Sequence, residues 1–196
     1  MHALAQVATF ALQSPIPVDN LLIALNHTLP ISVRVLRAEE APPDFHARHS
    51  AKAKTYEYRV FRGGICPPFL ARYVHHHPYA LNEDAMKEAA SIVIGTHDFT
   101  SFAAVDPERG KDDEELDNVR TIFASEWNRQ DDLLVYKVRG NGFLHHMVRN
   151  LVGTFLLVGK GSVAADSMSG ILAARCRSGA GPTAPASGLF LISVEY

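Results

Sequence analysis

The chain has 196 residues, of which 47% are hydrophobic and 20% are charged, a composition typical of a globular protein with one full core. No run approaches the roughly 20 uninterrupted apolar residues of a membrane-spanning helix. The first residues lack the basic region of a signal peptide, so we expect a cytoplasmic protein. A formal net charge of −2 gives no global attraction to nucleic acid, so an RNA site would have to be a local basic face.

The two cysteines, Cys66 and Cys176, are far apart and form no C-x-x-C pattern. This spacing indicates neither a disulfide framework nor a zinc site. We therefore expect both to be simple core or surface thiols.

The first third of the chain predicts two strands and one helix. Residues 6–12 and 31–36 have the alternation of strands, and residues 18–27 can form a helix between them. Two strands and one helix cannot close a sheet. The sequence therefore predicts an incomplete first domain.

A domain boundary is predicted at Pro42-Pro43, which interrupts the chain after these elements. We expect residues 1–42 to be the remnant of an N-terminal domain and residues 43–196 to be the C-terminal domain.

The second region mixes strands and helices without strict β-α alternation. Its elements are predicted strands at 55–61, 120–127, 133–139 and 189–196, a helix from the N-cap Asn82 to Gly95, an apolar helix at 143–158 and a charged loop at 106–117. The prediction is an α+β fold with a largely antiparallel sheet flanked by helices.

The apolar helix contains one arginine, Arg149. A buried guanidinium is costly unless a carboxylate or phosphate pairs with it, which would make Arg149 part of a site. The alternative is that Arg149 extends to the surface from the end of the helix. His145 would lie one helical turn earlier on the same face.

Histidines at 75–77 and at 145–146 raise the possibility of a metal site. Adjacent histidines on a strand point to opposite faces, which does not suit metal ligation. We therefore expect RNA-facing or surface histidines and no metal. The run at 97–102, with two phenylalanines spaced by three, is interpreted as a packing corner.

Several segments, in this order, carry a family resemblance. They are Asp-Phe-His-Ala-Arg at 44–48, Tyr-Glu-Tyr at 56–58, His-Asp-Phe-Thr-Ser-Phe at 97–102, Val-Arg-Thr-Ile at 119–122, Phe-Leu-His-His-Met-Val-Arg-Asn at 143–150 and Ala-Gly-Pro-Thr-Ala-Pro at 180–185. Together they resemble the tRNA pseudouridine synthase A family. The resemblance implies isomerisation of uridine to pseudouridine in the anticodon arm of tRNA, without metal or organic cofactor, by a homodimer.

The resemblance also implies roles for individual residues. Tyr56 matches the tyrosine that stacks on the uracil, and Arg149 matches the arginine that pairs with the catalytic aspartate. We expect His145 and His146 on the substrate side. The basic residues Arg48, Lys52 and Lys54 are expected to bind RNA.

The chain departs from the family at its start. The family motif Gly-Arg-Thr-Asp-x-Gly-Val-His carries the catalytic aspartate, and only His2 with Ala3, followed by Gln6-Val7, aligns with its end. We therefore expect an N-terminally truncated chain that is inactive alone. The alternatives are a non-catalytic RNA-binding or dimerisation module that begins at Met1, and a histidine metalloenzyme that would contain stoichiometric zinc or iron.

Overall fold

The computed structural model describes residues 1–13, 15–105 and 117–196. The predicted charged loop therefore lies outside the described residues, except for Asp117. The chain divides into two compact units, one of Val7–Ser50 and one that combines Met1–Gln6 with Ala51–Tyr196. The boundary predicted at Pro42-Pro43 stays a prediction.

The Val7–Ser50 unit contains the predicted helix, α1, at Val18–Thr28. The described parts of segments 6–12 and 31–36 do not form strands, so both strand predictions are wrong. The alternation predicts which side chains share a face, but a strand also needs a neighbour for its backbone groups. At Val35 the side chain of Asn26 takes that place, since its Oδ1 accepts from Val35 N (2.9 Å) and its Nδ2 donates to Val35 O (2.8 Å).

The larger unit is built on one sheet. Its strands are β1 (His2–Ala3), β2 (Ala53–Phe61), β3 (His75–His76), β4 (Gly95–Asp98), β5 (Val119–Gln130), β6 (Leu133–Gly140) and β7 (Leu189–Glu195). The strand order is β1-β7-β2-β6-β5-β4, and β3 pairs with the end of β2. Among the described strands, only two pairings are parallel, that of the short β1 with β7 and that of the short β3 with β2. The other pairings are antiparallel.

The helices of this unit are α2 (Pro68–Ala71), α3 (Glu83–Ile92), α4 (Met147–Gly159) and α5 (Ser167–Ala174). Helices α3, α4 and α5 pack against strands of the sheet. The predicted α+β class with a largely antiparallel sheet flanked by helices is confirmed. No helix among the described residues has the length and apolar character needed to cross a lipid bilayer.

The register places one face of the sheet against α4. Tyr58 pairs with Tyr136, and both side chains are fully buried. The ring of Phe155, on α4, packs edge-on against Tyr136 with the centroids 5.2 Å apart. Leu151 and Val152 complete this contact as buried core residues. The apolar helix that the sequence predicts is thus the central core helix.

Two helix ends differ from the prediction. Asn82 caps α3 as expected, since its side chain accepts from Ala85 N, but the helix ends at Ile92. Gly95 has φ +108° and already belongs to β4. Helix α4 begins at Met147 rather than at residue 143, because His146 has a left-handed backbone (φ 57°) that a right-handed helix cannot include.

A segment that we call the strap, residues 180–185, crosses α4 at very short range. Gly181 N donates to Thr154 Oγ1 (2.8 Å), and Ala184 N donates to Arg149 O (3.1 Å). A Cβ atom placed on Gly153 would lie 1.7 Å from the carbonyl oxygen of Pro182. Only glycine at position 153 permits this approach of two backbones.

Gly153→Ala should therefore lower the free energy of unfolding by more than about 2 kcal/mol, because the atom in the way is backbone and the whole strap must move. The matched control is Gly170→Ala, also within a helix, where a Cβ meets nothing within 4 Å. This control should be neutral or stabilising by about 0.5–1 kcal/mol. Urea unfolding of both variants measures the difference, and equal stabilities would contradict the prediction.

Candidate active site

Tyr56 lies on β2, on the sheet face that carries Tyr58, beside a β-bulge between β2 and β7. The Tyr56 ring is half-buried and packs edge-on against Phe143, with centroids 5.0 Å apart and an interplanar angle of 81°. Burial raises the pKa of the Tyr56 phenol above its usual value of 10. The phenol is therefore neutral at neutral pH and available as a stacking surface and hydrogen-bond donor.

Arg149 lies in the first turn of α4 and is half-buried. Its Nε donates to the carbonyl oxygen of Ala184 (2.6 Å), and Ala184 N donates back to Arg149 O. Within the described ranges no carboxylate forms an ion pair with Arg149. Its observed partner is thus a strap carbonyl.

Tyr58 connects these two residues, although the sequence predicts no role for it. Its hydroxyl donates to the carbonyl oxygen of Pro185 (2.8 Å), next to the Ala184 carbonyl that Arg149 holds. Burial raises the pKa of Tyr58, and the positive charge of Arg149 partly offsets this effect. The alternation of β2, which puts Tyr58 on the same face as Tyr56, is the signal that could have indicated it.

His145 and His146 form a stacked pair before α4, with ring centroids 4.0 Å apart. His145 Nδ1 donates to Val105 O (2.9 Å), and Ala104 N donates to His145 O (3.0 Å). The prediction that His145 lies one helical turn before Arg149 is wrong, because the helix begins only at Met147. Burial, followed by the charges of His145 and Arg149, lowers the pKa of His146, so this ring is neutral at neutral pH.

Asn150 is a further residue that sequence reasoning missed. It is fully buried, and its Nδ2 donates to Phe102 O (2.7 Å). Its Oδ1 accepts from Thr183 Oγ1 (2.6 Å) and from Arg177 Nη2 (3.1 Å), and Arg177 Nη1 also donates to Gly181 O (2.9 Å). Asn150 therefore joins α4 to the strap directly beside Arg149. A polar residue within an apolar helix was the available signal.

The run at 97–102 is a packing corner, as expected. Phe99 and Phe102 are fully buried. Asp98 accepts from Thr100 N (2.9 Å) and Thr100 Oγ1 (2.6 Å), and its carboxylate pairs with Arg175 (3.0 Å). The bonds from Thr100 contribute most to lowering the pKa of Asp98.

The three predicted RNA-binding residues fall in different units. Arg48 is exposed in the Val7–Ser50 unit. Lys52 is exposed just before β2, and Lys54 lies on β2 opposite Gly140. Their role in RNA binding stays a prediction.

The histidines at 75–77 include one unusual side chain. His77 is 5% exposed, and neither of its ring nitrogens has a hydrogen-bond partner among the described residues. Burial, followed by the positive charges of Lys160, Arg62 and His75, lowers the pKa of His77 to about 4. Within the described part of the chain no three His, Cys, Asp or Glu side chains are grouped to hold a metal ion.

Known proteins match this chain over its whole length. The family model described as tRNA pseudouridine synthase matches residues 89–196. The tRNA pseudouridine synthase A of Solibacter usitatus is 53% identical over 196 residues, which cover 100% of this chain and 78% of that protein. The chain belongs to this family.

Two further tRNA pseudouridine synthase A proteins extend the comparison. The protein of Bacillus pumilus is 45% identical over 196 residues, covering 100% of this chain and 77% of that protein. The protein of Halalkalibacterium halodurans is 45% identical over 189 residues, covering 96% and 70%. The resemblance seen in the sequence motifs is confirmed. The region matched by the family model includes Arg149, Asn150 and the strap.

Asn150→Ala should lower the free energy of unfolding by about 2–4 kcal/mol. The change leaves the carbonyl of Phe102 without its donor and removes the buried acceptor that Thr183 Oγ1 and Arg177 Nη2 share. Asn128→Ala, at an exposed position on β5, is the matched control and should change stability by less than about 0.5 kcal/mol. Urea unfolding measures the stability of both variants. A destabilisation below about 1 kcal/mol in Asn150→Ala would contradict the importance of the Asn150 hydrogen bonds.

His77 should make the protein less stable in mild acid. Its pKa is about 4 in the folded protein and about 6.5 in the unfolded chain. The unfolded state thus takes up more protons as the pH falls below about 6.5. Between pH 7 and pH 5 this costs about 2 kcal/mol. The destabilisation continues to grow until the pH falls below about 4.

His77→Phe keeps a ring of similar shape and removes the titration, so it should remove about 2 kcal/mol of the stability decrease between pH 7 and pH 5. The matched control is His76→Phe at the exposed neighbouring position, which should keep the wild-type slope. Urea unfolding at several pH values gives the slopes. Parallel profiles for wild type and His77→Phe would show that His77 is not responsible.

Proposed function

We propose that this chain provides the uracil-binding and arginine-bearing part of a tRNA pseudouridine synthase, which isomerises uridine to pseudouridine in the anticodon arm without metal or organic cofactor. Family membership supports the reaction. The observation that carries the assignment of residues is the continuous set of contacts from β2 to α4. Tyr56 and Tyr58 share a sheet face, Tyr58 bonds Pro185, and Ala184 bonds Arg149.

Tyr56 is proposed to stack on the uracil. The target base must leave the helical stack of the RNA, and an aromatic side chain beside an apolar ring gives it a new stacking partner. Phe143 holds the Tyr56 ring at a fixed angle, so the stacking surface is preorganised. Because the raised pKa keeps the phenol neutral, Tyr56 can donate a hydrogen bond or transfer its proton during the reaction.

The isomerisation exchanges one bond for another. The bond from the ribose C1′ to N1 of uracil breaks, a bond from C1′ to C5 forms, C5 loses its proton and N1 ends with one. These bond changes require a carboxylate that acts on the ribose or the base. Arg149 is proposed to hold that carboxylate through its terminal guanidinium nitrogens while its Nε stays on the strap.

The 196 residues contain no Gly-Arg-Thr-Asp segment. We therefore propose that they bind tRNA but do not isomerise uridine by themselves. His145 and His146 would face the substrate, and Arg48, Lys52 and Lys54 would contact phosphates. A homodimer in the cytoplasm remains part of the proposal. The alternative is a non-catalytic RNA-binding or dimerisation module of the same fold.

Fluorescence anisotropy with labelled tRNA should show salt-dependent binding by the chain. Neutralising Lys52 and Lys54 to Gln should weaken binding to every tRNA sequence, and the slope of log K against log salt should fall by about 1 for each phosphate that is no longer neutralised. Lys87→Gln, an exposed lysine on α3, is the matched control and should leave the slope unchanged. Binding that is insensitive to salt would overturn the proposal.

Pseudouridine formation is measured on the same tRNA by carbodiimide modification and primer extension. We expect none from the 196 residues. The intact mass and N-terminal peptide of the endogenous protein then separate the two candidates. A mass that includes an Arg-Thr-Asp segment supports the enzyme. A protein that begins at Met1 supports the non-catalytic module.

A further inference from the structure

The segment between β2 and α3, residues 62–79, has an unusual composition. We call it the arm. It contains no Asp or Glu, although the chain has 21 acidic residues in all. It holds two arginines, three histidines and three aromatic residues, Phe69, Tyr73 and Tyr79. The arm is thus an aromatic stretch without acidic residues in a chain of net charge −2.

Backbone and side-chain bonds fix the base of the arm. Arg62 Nη1 donates to the carbonyls of His77 (2.6 Å) and Tyr79 (2.7 Å). His76 Nε2 donates to Gly63 O (2.8 Å), and Ser187 Oγ donates to Val74 O (2.9 Å). The first and last residues of the arm are therefore tied together and to the sheet, which lowers the entropy lost when a partner binds.

Four large side chains of the arm are exposed despite this anchoring. Ile65 is 90% exposed, Phe69 76% and Tyr79 75%, while Tyr73 is 43% exposed. Arg72, also exposed, makes no ion pair with any described residue. Several large exposed rings beside Arg72, which has no ion pair among the described residues, mark an interaction surface rather than scattered surface residues.

We propose that the arm is a second RNA-contact surface, on which unpaired bases stack against Phe69 and Tyr79 while Arg72 binds phosphate. This inference rests on the proposed function. RNA offers stackable faces and negative charge together, which is the combination that the arm complements. An apolar protein partner would match the rings and leave Arg72 without a counter-charge.

The start of the arm is distinct from the uracil-binding position. Arg62 lies six residues beyond Tyr56, and a strand rises roughly 3.3 Å per residue, so Arg62 lies about 20 Å from Tyr56 along the strand. Later in the arm, the His75 ring lies beside the Tyr58 ring, with centroids 6.4 Å apart. A single flipped nucleotide cannot span about 20 Å, so nucleotides at the start of the arm are other than the target uridine and add to the affinity for the tRNA as a whole.

Photo-crosslinking tests the contact directly. Benzoylphenylalanine replaces Phe69 in one version of the full chain and Phe123 in another, a matched exposed phenylalanine on β5 (46% exposed). With tRNA bound, irradiation should crosslink position 69 to RNA, at unpaired nucleotides, several times more strongly than position 123. A crosslink from position 69 to a second copy of the chain, or none in a bound complex, would overturn the inference.

Affinity provides the second measurement. Phe69→Ala and Tyr79→Ala should each weaken tRNA binding about fivefold or more, with an unchanged salt slope, because stacking is not ionic. Arg72→Gln should reduce that slope by about 1. Phe123→Ala should stay within about twofold of wild type, since this ring lies outside the arm.

These outcomes distinguish a failure of the proposed function from a failure of the inference about the arm. Wild-type chain that does not bind tRNA refutes the proposed function and the arm with it. Wild-type chain that binds, with arm variants that bind equally well, refutes the arm alone.

Discussion

The reciprocal pair of hydrogen bonds between Arg149 and Ala184 is the interaction on which the rest of the site depends. The side chain of Arg149 bonds the carbonyl of Ala184, and the amide of Ala184 bonds the carbonyl of Arg149. The strap thereby becomes a fixed neighbour of the core helix. The carbonyl of Pro185, next in the chain, accepts the hydroxyl of Tyr58, so the strap links the core helix to the sheet.

The close approach of the strap to α4 requires two residues that are unusual in an apolar helix, a glycine and an asparagine. Gly153 leaves room for the Pro182 carbonyl, and Asn150 satisfies donors and acceptors that would otherwise be buried without partners. A helix of uniformly large apolar residues would pack on the sheet equally well. Such a helix would leave no room for the backbone of the strap and would offer no hydrogen-bond partners to its polar groups. The apolar character of α4 serves the core, and its exceptions serve the site.

The sequence predicted what depends on local patterns. The strand at 55–61, the largely antiparallel sheet and the cap at Asn82 are examples. The failures concern features that side-chain patterns do not encode. The left-handed backbone of His146 makes α4 begin later than predicted, and segment 31–36 has no neighbouring strand, which its alternation could not reveal. The partner of Arg149 is a carbonyl 35 residues away, and no spacing rule connects the two.

The two-residue strand β1 has a topological consequence. Because β1 pairs with β7 on the side opposite to β2, the chain leaves the sheet after Ala3, opposite Leu191, and re-enters it at Ala53, opposite Glu195, with only β7 between the two strands. Val7–Ser50 is therefore an excursion between two nearly adjacent strands. Loop-closure entropy grows only by about 0.6 kcal/mol for each doubling of length. The sheet can thus accommodate excursions of very different size at this place with little effect on its own stability.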